Sequence, residues 1–276
     1  MSQEILERAI EKYKPAAIFA LFSGGHDSLV STHVAANALG DRLNGVVHID
    51  TGIGIPETQE FVKATCEDFG WPLKIYRAID NTKADGTPDP KDYEAIIMEH
   101  GFPGASAHQY MYNNLKLRQV ERLVREHRGK RGKKVMLITG VRREESSRRM
   151  GTIKDDIQVP PKAGGQVWVA PMIAHTSQDQ YEYMHEHGLP RNPVKDKLCM
   201  SGECLCGAFA HEGELKEIEF WYPEVAARIK RLEQRVLAKY GKSHGWEGCD
   251  FDLHDDRQQM LPLCMGCANR AEGEAA

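Results

Sequence analysis

At 276 residues, 41% of them hydrophobic, the chain can bury an ordinary core without disulfide or metal staples, as one sizeable α/β domain with an appendage or as two small domains. Charged residues make up 28%, with a formal net charge of -4 and a pI near 6.3; this excludes the global basic bias of a nucleic-acid coat and leaves local basic patches open. No run of about 18 apolar residues occurs, and the first residues lack the apolar core of a signal peptide, so the expectation is a soluble cytoplasmic protein with no membrane partner.

The opening MSQEILERAIEKYKP reads as an amphipathic helix with Ile5, Leu6, Ala9 and Ile10 on one side. Residues 16–22, AAIFALF, are a continuous apolar run between Pro15 and Ser23-Gly24-Gly25, the pattern of a strand buried on both faces of a parallel sheet. Residues 28–39 carry Leu29, Val30, Val34, Ala35 and Ala38 at helical spacing and stop at Gly40. The rhythm repeats with a strand at 45–49, a helix at 56–69 opened by Pro56, and a short strand at 73–76. The polar DNTKADGTPDPKD interrupts it before a helix at 107–126 and strands at 135–139 and 167–170. Strands alternating with helices predict an α/β fold built on a doubly wound, mostly parallel five-stranded sheet. Beyond residue 177 follow a helix (SQDQYEYMHEH), a cysteine-bearing loop, and a charged helical region from Glu212 to Tyr240 broken at Pro223. The predicted organisation is an α/β domain over 1–195, a helical cysteine-rich extension over 196–270 and a disordered tail over 271–276.

Between the first strand and its helix stands Ser23-Gly24-Gly25-His26-Asp27-Ser28. Two glycines permit positive φ, so consecutive N–H groups can point into one concavity, and the helix start adds its positive end; this is a phosphate site. No lysine follows as in a Walker loop, and GxGxxG is absent. Ser23 and Ser28 can donate to phosphate oxygens, and Asp27 can cap the helix or hold Mg²⁺ through the phosphates. A plain strand-to-helix turn is the alternative. After the strand at 135–139 come Arg142, Arg143, Arg148 and Arg149, at the sheet end where open α/β folds bind ligands, and a guanidinium fork suits phosphate or sulfate. A solvated helix face paired with Glu144 and Glu145 is the alternative there.

SGGHDS at 23–28, HIDTGIGIPETQEFV at 48–62, TGVRREESSRR at 139–149 and VAPMIAHTSQDQYEYMHEHGLPRNPV at 169–194 together resemble the PP-loop ATP pyrophosphatase superfamily and, within it, the phosphoadenosine phosphosulfate (PAPS) reductase family. The resemblance covers about residues 17–206. It implies an adenine nucleotide, ATP or PAPS/APS, with Ser23, Gly24, Gly25, His26, Asp27 and Ser28 around the phosphates. It places Asp50, Thr51 and Gly52 near base and ribose, and Gly140 and Arg142 beside the nucleotide. Asp27, Arg142 and Arg143 are the candidate catalytic residues. His26 stands where many members carry lysine, a fixed charge replaced by a mostly neutral group.

Of seven cysteines, Cys66 reads as core and Cys249 as a surface thiol, whereas Cys199, Cys204, Cys206, Cys264 and Cys267 fall in two tight groups. In a chain without an export signal such groups favour metal ligation over disulfides, and either a [4Fe-4S] cluster or Zn²⁺ satisfies the spacing. The resemblance tilts the choice to iron–sulfur. Residues 261–276, LPLCMGCANRAEGEAA, do not carry the ECGLH-like segment of assimilatory reductases. The expected reaction is therefore adenylation of a substrate by ATP with pyrophosphate release, followed by sulfur transfer, for example to tRNA or DNA. Alternatives are a PAPS/APS reductase or sulfotransferase, and a non-catalytic nucleotide-binding iron–sulfur protein. The basic run Arg125–Lys134 can track a nucleic-acid backbone or be a solvated loop. A sulfur-donor protein and a homodimer complete the expected partners.

Overall fold

In the computed structural model, residues 2–83, 85–89, 91–129, 133–145, 155–160, 165–241 and 245–247 are described. The strands are β1 (Ala17–Leu21), β2 (Gly45–Asp50), β3 (Leu73–Arg77), β4 (Val135–Ile138), β5 (Ile157–Gln158) and β6 (Gln166–Val169). They lie in the order β3-β2-β1-β4-β6-β5. The first five neighbours run parallel and β5 lies antiparallel to β6. The expected five-stranded sheet is thus corrected to six among the described residues. The extra strand escaped because two residues are too few to show any periodicity.

The sheet is covered on both faces because its strand residues alternate. Ala17, Phe19 and Leu21 of β1 join Val135 and Leu137 of β4 against Val120, Leu123 and Val124 of helix α6 (Arg118–His127). The intervening Ile18, Ala20, Met136 and Ile138 face the other way, onto Ile5, Leu6 and Ala9 of α1 (Ser2–Tyr13) and Ala35 and Leu39 of α2 (His26–Leu39). The apolar side predicted for the first helix is the side it buries. Helix α3 (Pro56–Asp68) and α7 (Ser177–Glu186) extend that second layer through Val62, Cys66 and Met184.

Two local features departed from the periodic reading. Helix α4 (Tyr93–His100), capped by Asp92, whose Oδ1 accepts from the Ala95 N–H at 2.8 Å, fills part of the stretch left unassigned after the polar interruption. The helix expected at 107–126 is α5 (His108–Tyr112), a π-helical turn at Asn113–Leu117 and then α6.

Helix α8 (Pro193–Leu198) leads into the cysteine loop, followed by α9 (Glu214–Trp221) and α10 (Pro223–Tyr240). The break at Pro223 follows from its missing N–H, tolerated only at a first turn. Val225, Ala226, Ile229, Leu232 and Val236 bury one stripe of α10 in an apolar cluster that also holds Ile53 and Ile55, Tyr93 and Ile97 of α4, and Leu205 and Cys206. Trp246 Nε1 donates to the Leu205 carbonyl at 2.9 Å. No helix among the described residues is long and apolar enough to cross a membrane.

Candidate functional site

The strand order reverses at the β1–β4 boundary, so the C-terminal ends of these two strands frame the crevice in which open parallel sheets take ligands. The loop after β1 rises from Phe22, whose N–H donates to Val47 O at 2.9 Å. Gly24 has φ +84, and a Cβ there would lie 2.7 Å from the Thr58 methyl, so only glycine fits. No side chain caps α2, which leaves its first N–H groups open to an anion. Ser23 and Ser28 stand with their hydroxyls 3.1 Å apart, and Ser28 Oγ donates to Gly25 O at 2.8 Å. From the other side, Gly140 brings the β4 loop onto the start of α2 backbone to backbone. A Cβ on it would sit 2.6 Å from the Ser28 nitrogen and against the Asp27 carbonyl.

These pieces border an open pocket lined by Ser23, Ser28, Thr139, Gly140, Lys116 and Glu203, with Phe22, Val47 and Ile49 as apolar wall. Of the residues expected around the nucleotide, Ser23, Ser28 and Gly140 reach its wall. Asp50, Thr51 and Gly52 do not: Asp50 accepts from the Gly52 N–H at 2.8 Å and from Gln59 at 3.2 Å, and the buried Thr51 hydroxyl donates to the Glu203 carbonyl at 3.0 Å.

Asp27 makes no cap. Its carboxylate accepts from Arg142 Nε and Gln180 Nε2. Arg142 is 5% exposed, and its Nη1 also reaches Glu144 at 3.2 Å, the Ser177 hydroxyl at 3.3 Å and the His175 carbonyl at 3.4 Å. Its charge therefore fastens the phosphate loop to the turn before α7. Arg143 is exposed, tied through its N–H to Ile173 O at 2.8 Å. Arg148 and Arg149 lie outside the described residues. His26 is buried, with an Nε2 that has no hydrogen-bond partner among the described residues. Burial, then the positive charges of Lys195 and Arg191, push its pKa down to about 4, so the ring is neutral at pH 7.

Lys116 and Glu203 were not among the expected residues. Lys116 Nζ donates to Glu203 Oε2 at 2.7 Å, the two side chains being 9% and 6% exposed. Glu203 Oε1 has no partner among the described residues. The π turn turns Lys116 inward, and such turns recur at functional positions. The pair also lines a second pocket, with Cys204, Cys206, His108, Tyr112, Met111 and Met200. The pocket at the phosphate loop and the pocket at the thiols thus share one buried ion pair.

The Cys206 thiol, hydrogen-bonded to Cys204, holds the Cys204 thiol below its ordinary value, aided by Lys116 and opposed by burial. Cys199 is exposed, at the left-handed residue ending α8. Cys264 and Cys267 lie outside the described residues, as do Cys249 and the tail 271–276. Among the described residues no three His, Cys, Asp or Glu side chains form a group able to hold a metal. The described part of the expected ligand set is Cys199, Cys204 and Cys206, of which Cys204 and Cys206 line one pocket. Cys66 is buried in the core, where burial pushes its thiol up to about 12, as expected of a structural cysteine.

The phosphoadenosine phosphosulfate reductase domain matches residues 17–206, a span that holds the phosphate loop, the 48–62 segment, the arginine turn and the cysteine loop. The chain belongs to this family. The reductase family's sequence relatives include phosphoadenosine 5'-phosphosulfate reductase of Pectobacterium carotovorum subsp. carotovorum, 27% identical over 201 residues, which are 72% of this chain and 73% of that protein. An uncharacterised protein of Methanocaldococcus jannaschii is 24% identical over 241 residues, 87% of this chain and 46% of its own length. The chain spans about half the length of this relative and of a second one from the same organism, of which it covers 47%. Among solved structures, the PAPS reductase of Candida auris in its phosphate complex aligns with a TM-score of 0.49 at 19% identity, covering 71% of this chain and 83% of that one.

Proposed function

We propose that this chain is an ATP-dependent enzyme that adenylates an acceptor and supports its thiolation. The observation that carries the reading is the ion pair Lys116–Glu203, which walls the cavity at the phosphate loop and the cavity of Cys204 and Cys206 at once. Family membership supplies the adenine nucleotide. The phosphates sit on the open N–H groups of α2 with Ser23 and Ser28. An acceptor oxygen bonds to the α-phosphorus as the α–β anhydride breaks and pyrophosphate leaves. A sulfide-level sulfur nucleophile then attacks the acceptor carbon, and AMP departs with the former acceptor oxygen. Catalysis by the chain is positioning and charge compensation: loop amides and Mg²⁺ for the leaving pyrophosphate, Lys116 at the wall between the cavities, and Asp27 and Arg142 holding the loop in shape. Arg143, exposed after β4, would meet the acceptor, for which a base in tRNA or DNA is the proposed class.

The thiols fit a soft metal centre in donor type: two sulfur donors, Cys204 and Cys206, beside one pocket. Cys204 and Cys206 would hold a [4Fe-4S] cluster, or Zn²⁺, with Cys199, Cys264 and Cys267 as candidates for the remaining positions. A cluster would supply a site to carry labile sulfur.

The family's reductase relatives favour a second reading, thiol-dependent reduction of PAPS or APS. The two separate in one assay set on anaerobically purified protein. Pyrophosphate and AMP from ATP, dependent on acceptor and sulfide, are expected; sulfite released from PAPS with no turnover of ATP would overturn the first reading in favour of the second. Absence of iron and acid-labile sulfide from the same preparation would remove the cluster.

A further inference from the structure

Asn192 is fully buried and serves three segments with one amide. Its Oδ1 accepts from the Val194 N–H at 2.9 Å, capping α8. Its Nδ2 donates to the Gly24 carbonyl at 2.9 Å and reaches the Ser201 carbonyl at 3.5 Å. Thr58 repeats the connection from α3: its hydroxyl donates to Ser201 O at 2.5 Å, and its methyl occupies the space a side chain at Gly24 would need. The phosphate loop and the cysteine loop therefore meet at two side chains, and the Ser201 carbonyl is their common acceptor. Beyond Ser201 the strand of loop that carries Cys204 is stitched by backbone, Ile55 N–H to Gly202 O at 2.7 Å and Leu205 N–H to Ile53 O at 3.3 Å.

A trans peptide points its C=O and its N–H in opposite directions. The carbonyl of the Gly24–Gly25 peptide is the one held by Asn192, so its N–H is turned to the opposite side. An anion that takes the Gly25 N–H strengthens the acceptor at the far end of the same peptide, because hydrogen bonds in a chain polarise one another. The firmer bond to Gly24 fixes the Asn192 amide in the position from which it also reaches Ser201. We propose that Asn192, seconded by Thr58, is a positioning residue that couples occupancy of the phosphate loop to the order of the cysteine loop. The proposal rests on the nucleotide reading above and deepens it: thiols would be set in place only when the activating nucleotide is bound.

Hydrogen–deuterium exchange of the full chain, with and without saturating Mg-ATP, tests this in wild type, Asn192→Ser and Thr58→Val. Serine keeps a capping oxygen for α8 but is too short to reach Gly24, and valine keeps the Thr58 shape without its donor. In wild type, ATP slows exchange in both segments 23–29 and 199–206, the latter by about 3-fold or more. In Asn192→Ser, and to a smaller degree in Thr58→Val, slowing persists at 23–29 and falls by at least about half at 199–206. A merely structural role would loosen 199–206 equally with and without ATP. Equal ATP protection of 199–206 in wild type and both variants overturns the proposal, as does protection confined to 23–29 in wild type. Failure of ATP to slow 23–29 in wild type strikes instead at the nucleotide reading beneath it.

Discussion

Gly140 and His26 show how single positions in this crevice answer different physical demands. Gly140 has no room for a methyl, since a Cβ there meets the Asp27 and Ser28 backbone. Gly140→Ala should cost about 1–3 kcal/mol through overpacking and, by pushing α2 off its phosphate position, weaken ATP binding more than tenfold (about 1.4 kcal/mol). Denaturant titration and calorimetric binding measure the two. His26 is held neutral by burial with Lys195 and Arg191 near it. Its folded pKa of about 4 lies below the unfolded value near 6.5, so the unfolded chain binds the extra proton between these limits and stability falls as pH drops from about 6.5 toward 4. Wild type should therefore lose more Tm than His26→Gln between about pH 7.5 and pH 4.5; equal losses would show that the ring is not buried neutral. Both residues stood in motifs visible in the sequence, but their work was not. Gly140 reads as a nucleotide neighbour, and only the close approach of two backbones shows what the missing side chain is for.

At the scale of the element, the strands and most helices were legible because the apolar periods of β1, β2 and β4 and of α1, α2 and α3 are long enough to be unambiguous. The two-residue β5 and the eight-residue α4 are not. The π turn at Asn113–Leu117 was hidden for a different reason: its sequence, NNLKL, is compatible with a regular helix, and the signal lies in the hydrogen-bond ladder alone. Lys116 was hidden with it, and Glu203 because only the fold brings a residue 87 positions away against Lys116. The pair predicts a double-mutant signature. Lys116→Met leaves a buried carboxylate uncompensated and should lower stability by about 3–5 kcal/mol, whereas Lys116→Met with Glu203→Leu should recover most of the loss. Urea unfolding of wild type, Lys116→Met, Glu203→Leu and the double variant measures it, and additive losses would mean the two side chains do not form a buried pair.

For the whole molecule, the sheet separates duties. Its lower layer of α1 against β1, β4 and β6 carries packing far from the crevice, so Leu6→Ala, at a fully buried position, should cost about 2–5 kcal/mol while leaving ATP affinity within about twofold. The opposite edge, at the C-terminal ends of β1 and β4, holds the phosphate loop and the turn of Gly140. Ser23, Ser28 and Gly140 line one pocket, whereas Asp50 is taken up by the Gly52 N–H and Gln59, and the Thr51 hydroxyl fastens the cysteine loop at the Glu203 carbonyl, a tertiary role that no spacing in the sequence reveals. The wall shared by the two cavities also bears on efficiency. An activated acylphosphate-like adduct in water is a wasting asset, and its lifetime sets how far it can travel before hydrolysis. If activation occurs at the phosphate loop as proposed, one ion pair stands between that pocket and the pocket of Cys204 and Cys206, so leakage to solvent should be small and AMP formed should match sulfur transferred nearly one for one. Thinning that wall, as in Glu203→Ala, should show first as futile ATP consumption, before any fall in the rate at which ATP is used.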